Sequence, residues 1–256
     1  MTAEFLPPSG FRPGDARKRI GPILRALARA YPSAKTALHY RKPFELLVAT
    51  ILSAQSTDET VNRVTPALFE RYPDAAALST ASPKDVEELI HPTGFFRQKT
   101  KAIIGCAQAL VARFHGEVPR RLEDLVELPG VARKTANVVL ANCWPRPQSD
   151  HGIFVDTHVR RTSQRLALTG QDEPDEIERE LMELVPERKW AELPHQLVFL
   201  GRGPCRARNP AHDACPVVEW CPTGRSALKA VRKRRANTSR RCKRSPAGAS
   251  LGARGR

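Results

Sequence analysis

The segment LEDLVELPGVARKTANVVLANC, residues 122–143, decides the fold. A short apolar helix through Leu128 runs into Pro129-Gly130, and a second helix is predicted to begin directly after this turn. The pattern predicts a helix-hairpin-helix. The unpaired backbone N–H groups in the first turn of the second helix would face outward and form a phosphate site that reads no base sequence. Such a hairpin is also a common packing motif, so it does not define a function by itself.

The rest of the chain is also predicted to be helical. Apolar residues recur at helical spacing over residues 20–31 and 103–114. Ser56 with Glu59 predicts a capping box, and Ser82-Pro83 predicts another helix start. No alternating run between turn signals favours a strand, so the predicted fold class is all-α. The irregular segment WPRPQSDHG, residues 144–152, indicates a domain junction.

Charge and composition point to a globular protein with a basic end. The chain has 256 residues, 41% of them hydrophobic, which is enough for a core without disulfide bonds. Its net charge is +15, yet 12 of the 42 lysines and arginines fall after residue 224, where there is no acid. With few apolar residues, 225–256 is predicted to be a disordered basic tail. It is either a solubilising extension or a nonspecific phosphate tether.

The expected cellular compartment determines how the cysteines are interpreted. The N-terminus lacks an apolar run of signal-peptide length, and no stretch is long enough to cross a membrane, so we expect a cytoplasmic protein, nucleoid-associated if bacterial, with no membrane partner. In such a reducing compartment six cysteines favour metal or redox chemistry over disulfides. Cys106 lies in an apolar helical pattern and is interpreted as a core residue.

Lys134 and Asp156 are the candidate catalytic residues. Lys134 would lie in the first turn of the second hairpin helix, where the helix dipole and Arg133 both disfavour an ammonium group and so favour an amine nucleophile. Asp156, in GIFVDTHVRR, would start another helix beside apolar residues and could stabilise positive charge on a sugar ring. The alternatives are a solvated lysine that contacts phosphate and an ordinary helix N-cap.

A third motif is CRARNPAHDACPVVEWC, residues 205–221, with the spacing C-x6-H-x2-C-x5-C. Three interpretations are open: a metal site, a metal site with one altered ligand, or unrelated thiols that lie close together.

Together, LPGVARKTANVVL, VDTH and this cysteine loop resemble the endonuclease III family of helix-hairpin-helix DNA glycosylases with an iron–sulfur cluster. The stretches PFELLVATILSAQSTDETVNRV, HPTGFFRQKTKAI and VPRRLEDLVELPGV agree, and the resemblance runs from about Lys18 to Gly224. It implies two helical domains with the active site in the cleft between them. Residues 36–146 would form the bundle with the hairpin, and residues 1–35 would pack with a cluster domain, 147–224.

The resemblance also implies roles for single residues. Lys134 corresponds to the Schiff-base lysine and Asp156 to the catalytic aspartate. Gln55 matches the residue that fills the gap left by an extruded nucleotide, and Phe95 stands where the family has a leucine wedge. Further DNA contacts are implied for the hairpin residues Gly130, Ala132 and Arg133. Ala132 replaces a hairpin glycine, and the loop before Asp156 is longer than in the family.

For the cysteine loop, the family pattern is C-x6-C-x2-C-x5-C around a [4Fe-4S] cluster, so His212 stands in place of the second cysteine. We expect a cluster held by Cys205, His212, Cys215 and Cys221, because imidazole is an accepted iron–sulfur ligand. Zinc in a Cys3His set and a cluster with only three protein ligands are the alternatives.

The implied function is that of a bifunctional DNA glycosylase/AP lyase in base excision repair. It would excise damaged, oxidised pyrimidines and cleave the strand by β-elimination through a lysine Schiff base. The expected partner is double-stranded DNA with damaged bases or abasic sites, and the protein is expected to be a monomer. The alternatives are a monofunctional glycosylase and a noncatalytic DNA-binding module.

Overall fold

The computed structural model describes residues 13–144 and 146–243. Over these residues it is helical, with no strand, as predicted. The α-helices are α1 (Pro13–Ala30), α2 (Pro43–Leu52), α3 (Asp58–Arg71), α4 (Ala75–Ser79), α5 (Pro83–Ile90), α6 (Phe96–Phe114), α7 (Leu122–Val126), α8 (Arg133–Cys143), α9 (Thr157–Arg165), α10 (Pro174–Leu184), α11 (Glu192–Arg202) and α12 (Pro222–Lys243). Short 3-10 helices cover His91–Thr93, Glu187–Lys189, His212–Ala214 and Val218–Trp220.

The helices build two apolar cores. The first draws its buried side chains from residues 38–140, on α2 to α8 and the loops between them. The second combines α1 with the chain from Ile153 to Cys221, so the N-terminal helix packs with the C-terminal half. Helix α8 belongs to both, because Val139 and Leu140 are buried in the first core and Val138 in the second.

Two local predictions need correction. Helix α3 is capped by Thr57, whose hydroxyl accepts a hydrogen bond from the Thr60 N–H at 3.2 Å, and not by a Ser56/Glu59 box. The chain after residue 224, predicted to be disordered, continues as α12 to Lys243, while residues 244–256 lie outside the described part. This stretch is rich in alanine, lysine and arginine, which favour helix. Its costly first turn is nucleated on the cysteine loop, where the Arg225 N–H donates to the Cys221 carbonyl at 3.0 Å.

The helix-hairpin-helix is present, with α7 and α8 joined by the predicted Pro129-Gly130 turn. Gly130 has φ +77°, a left-handed conformation that disfavours side chains. A Cβ there would lie 2.8 Å from the Ala102 Cβ and 3.4 Å from the Ile51 Cγ2. The turn therefore packs closely on α2 and α6. Ala132, in contrast, has φ −83° and is exposed, so its methyl group is accommodated without strain.

These contacts predict that Gly130→Ala lowers the free energy of unfolding by about 2–4 kcal/mol, from overpacking and left-handed strain. Ala132→Gly is the matched control in the same turn. It should change stability by less than about 1 kcal/mol, since no contact or conformation there requires either residue. Urea denaturation of both variants measures this, and equal stability of the two would contradict the packing of the turn.

Candidate functional site

Lys134 lies in the first turn of α8 with its side chain exposed. It makes no ion pair or hydrogen bond with any other described residue. Ala132 is the N-cap of α8 and supplies no side-chain acceptor, so the N–H groups of this turn are not capped by a side chain. Lys134 precedes Val138 by four residues, and residues at this spacing lie on the same helix face. Since Val138 is buried in the second core, Lys134 lies at the seam between the two domains.

Asp156 lies at the same seam, as the N-cap of α9. Its Oδ1 accepts hydrogen bonds from the backbone N–H groups of His158 and Val159, both at 2.8 Å. No donor among the described residues reaches Oδ2. The preceding residues 153–155 are buried, and Val155 shares the second core with Val138. Asp156 is thus an N-cap, as the simpler interpretation holds, but one oxygen remains available to a ligand.

The surroundings of Asp156 combine apolar residues with a cation, Arg161, whose pKa is lowered by burial and raised to a lesser degree by the Asp156 charge. His195 is buried, packs edge-on against Phe154 with ring centroids 5.0 Å apart, and has its Nε2 3.2 Å from the Asn142 amide nitrogen. Burial lowers the pKa of His195 to about 4, against the opposing influence of the Asp156 charge. A neutral His195 therefore leaves the Asp156 carboxylate without a cationic partner on this side, which suits a group that stabilises a transient cation.

Arg133, which is predicted to contact DNA, binds the Glu178 carboxylate within the protein. Its Nε donates to Glu178 Oε2 at 2.7 Å and its Nη2 to Oε1 at 3.2 Å, and this hydrogen bonding raises the pKa of Arg133. Glu178 therefore offsets the repulsion that Arg133 would exert on Lys134. About half of the Arg133 side chain stays exposed, so a phosphate contact remains open to it.

Glu178 and Asn137 are site residues that the sequence analysis missed. Glu178 is only 4% exposed, and its Oε1 also accepts from the Asn137 amide at 2.9 Å. The Asn137 side-chain oxygen, Oδ1, accepts from the Gly152 N–H at 2.8 Å. This polar bridge, Asn137–Glu178 with Arg133 and Gly152, joins α8 to α10 and to the segment before Asp156. The one sequence signal is a polar residue within the apolar run TANVVLANC.

Gln55 and Phe95 lie on loops beside the hairpin. Both are exposed and both adopt left-handed conformations, with φ 53° and 47°. Phe95 precedes α6 and Gln55 follows α2, and these two helices contact the Gly130 turn. The structure thus brings the candidate DNA-binding residues 55, 95 and 130–134 to neighbouring segments of the first domain.

The cysteine loop lies at the opposite end of α9 from Asp156. Its candidate ligands line one pocket, together with Arg165 at the end of α9; they are Cys205, His212, Cys215 and Cys221. At a rise of about 1.5 Å per residue, the nine residues of α9 place the backbone of Arg165, which lines the pocket, roughly 13 Å from Asp156. A group bound in this pocket therefore does not touch the candidate catalytic residues.

The pocket suits an anionic group that is bound through cysteine sulfur atoms. Arg165 donates to the Cys205 Sγ at 3.6 Å and to the Arg206 carbonyl at 2.7 Å, while the Gly224 N–H donates to the Cys221 Sγ at 3.3 Å. Burial raises the pKa of the Cys215 thiol to about 11, so binding of a metal here would release protons. Among the described residues, no three His, Cys, Asp or Glu side chains converge as a single-ion site requires.

No helix in the described part of the chain is long and apolar enough to cross a membrane.

Comparison with known proteins agrees with this architecture. Residues 48–187 match the family of HhH-GPD superfamily base excision DNA repair proteins, and residues 205–221 match the iron-sulfur binding domain of endonuclease III. Endonuclease III of Synechocystis sp. is 50% identical over 211 residues, covering 82% of this chain and 95% of that protein.

Two solved structures are similar along nearly their whole length. A non-covalent endonuclease III–DNA complex and a trapped endonuclease III–DNA covalent intermediate superpose with TM-scores of 0.76, at 37% and 38% identity. Each match covers 83% of this chain and 98% of the other. With its hairpin, its second helical domain and its cysteine loop, the chain belongs to the endonuclease III family of base excision DNA repair proteins.

Proposed function

We propose that this chain binds double-stranded DNA, excises damaged, oxidised pyrimidines and cleaves the strand with Lys134 as nucleophile and Asp156 as the stabilising carboxylate. The observation that supports the assignment is that the exposed Lys134 side chain has no partner among the described residues and that none of them donates a hydrogen bond to the Asp156 Oδ2. Both groups are positioned by helix starts and are available to a ligand.

In the proposed reaction the flipped nucleotide enters the seam between the domains. The Lys134 Nζ attacks C1′ through its lone pair and the bond from C1′ to the base breaks, so the base leaves with the electron pair and takes up the proton that Nζ releases. Asp156 stabilises the positive charge that develops on the sugar. Opening of the sugar ring gives the imine, which acidifies the C2′ proton. Loss of this proton expels the 3′ phosphate by β-elimination.

The proposed DNA contacts follow from the same placement. The uncapped first turn of α8 presents backbone N–H groups to one phosphate, with Gly130 and Ala132 giving close approach. Gln55 and Phe95 are exposed beside it and would enter the gap and the stack around the flipped nucleotide.

Replacement of the proposed nucleophile tests the function. Lys134→Gln should abolish the borohydride-trapped adduct with abasic-site DNA, because no imine forms. DNA affinity should stay within roughly threefold, because many phosphate contacts share it. Lys101→Gln, an exposed lysine on α6, is the control and should trap normally. Undiminished trapping by Lys134→Gln would show that another amine reacts, and a wild-type chain that binds but never traps would be a monofunctional glycosylase or a noncatalytic module.

We also propose that Cys205, His212, Cys215 and Cys221 hold a [4Fe-4S] cluster, with His212 as the fourth ligand. Two observations support a cluster: all four residues line one pocket, and residues 205–221 match the iron-sulfur binding domain of endonuclease III. Zinc in a Cys3His set is the alternative. When bound, the cluster would link the loop to α9 and α12 and supply no group to the reacting sugar.

Anaerobically purified protein should therefore contain iron and show the broad visible absorption of a cluster, whereas about one zinc and no iron would contradict the assignment. His212→Ala should lose absorbance and stability. His212→Cys should keep the cluster at a lower reduction potential, because thiolate adds a negative charge that imidazole lacks. A His212→Ala variant with the wild-type spectrum and stability would make the histidine a bystander.

A further inference from the structure

The backbone at Phe95 is strained, although its side chain is free. The Phe95 side chain is 60% exposed, so packing does not hold the ring in place. The residue has φ 47° and ψ 29°, a left-handed conformation that costs a residue with a Cβ about 1–2 kcal/mol. The direction of the Phe95 ring is therefore set by its backbone conformation. Other contacts must hold that backbone in place.

The segment before Phe95 is fixed from the upstream side. The Thr93 hydroxyl donates to the Ile90 carbonyl at 2.8 Å, and the Gly94 N–H donates to the His91 carbonyl at 3.3 Å. The next ring, Phe96, packs on His91 with centroids 4.5 Å apart. These contacts anchor the loop to the end of α5 and leave Phe95 projecting between two fixed points.

Lys99, on α6, holds the same segment in place from its C-terminal side. Its Nζ donates to the Thr93 carbonyl at 2.8 Å, and its backbone N–H donates to the Phe95 carbonyl at 3.1 Å. One residue thus binds the carbonyls on both sides of Gly94. Lys99 is only 5% exposed, so its amine is withheld from DNA phosphates, and burial lowers its pKa. Lys101, two residues along the same helix, is exposed.

We propose that Lys99 is a positioning residue for base extrusion, which holds the Phe95 wedge in its left-handed conformation through the Thr93 carbonyl. This inference rests on the proposed role of Phe95. A wedge acts only where a base must leave a duplex stack. Loss of Lys99 should therefore slow extrusion and leave the Lys134 chemistry intact.

Two single-turnover rates with the full chain test this role. The first is excision of an oxidised pyrimidine from a duplex, which needs extrusion. The second is cleavage of an abasic site in a single strand, which does not. Their ratio is measured on one preparation, so any loss of folded enzyme cancels. Lys99→Met should lower the ratio about tenfold. This factor corresponds to the free-energy cost of the left-handed backbone at Phe95, which Lys99 would no longer hold in place. Lys99→Gln, too short to reach Thr93, should do the same.

Three further variants decide the interpretation. Phe95→Ala should lower the ratio, and adding Lys99→Met to it should lower the ratio no further, because residues that act through one another are not additive. Lys99→Arg keeps a donor and should preserve the ratio within about twofold. Lys101→Met removes the same charge from the same helix and should leave the ratio unchanged.

The outcomes separate the two proposals. If Phe95→Ala leaves the ratio unchanged, the wedge role of Phe95 is wrong, and the role of Lys99 is wrong with it. If Phe95→Ala lowers the ratio while Lys99→Met and Lys99→Gln do not, only the role of Lys99 is overturned. Multiplied losses in the double variant also overturn it, since Lys99 would then act independently of Phe95.

Discussion

A buried polar bridge holds α8 between two apolar cores, and the site geometry depends on it. A carboxylate as buried as that of Glu178 is tolerated only when donors satisfy it, and here Arg133 and Asn137 both donate to it. Gly152 lies so close to Glu178 that a Cβ would collide with the carboxylate, so the segment leading to Asp156 is drawn against α8. The bridge thus fixes the start of α8, which carries Lys134, relative to the chain that carries Asp156.

Helix α9 connects Asp156 to the cysteine loop. Its first turn is capped by Asp156, which accepts from the His158 and Val159 N–H groups, and at its last turn Arg165 donates to the Arg206 and Ala207 carbonyls of the loop. Arg19 of α1 donates to the Leu166, Ala167 and Trp220 carbonyls and so binds the N-terminal helix to the same corner. A cluster held in this pocket would join the end of α9 to the loop, and the guanidinium groups of Arg165 and Arg19 would suit its negative charge.

Local patterns made the hairpin and the candidate ligands predictable. Pro129-Gly130 and the apolar spacing around it predict the turn, and the spacing of the cysteine loop predicts four candidate ligands, which line one pocket. The bridge was not predictable, because Asn137 and Glu178 are separated by 41 residues and neither belongs to a local motif. The same holds for Arg133, whose partner Glu178 is 45 residues away. Helix α12 was missed because its formation depends on the cysteine loop that starts it and not on an apolar face.

In the proposed mechanism the reactive amine is the one at the start of α8. Mass spectrometric mapping of the reduced DNA adduct identifies this amine directly. After borohydride reduction, nuclease treatment and trypsin digestion, we expect the sugar remnant on Lys134, with the Lys134–Thr135 bond uncut because the modified lysine is no longer a trypsin site. A remnant on any other lysine, or on the amino terminus, would contradict the assignment of Lys134 as the nucleophile.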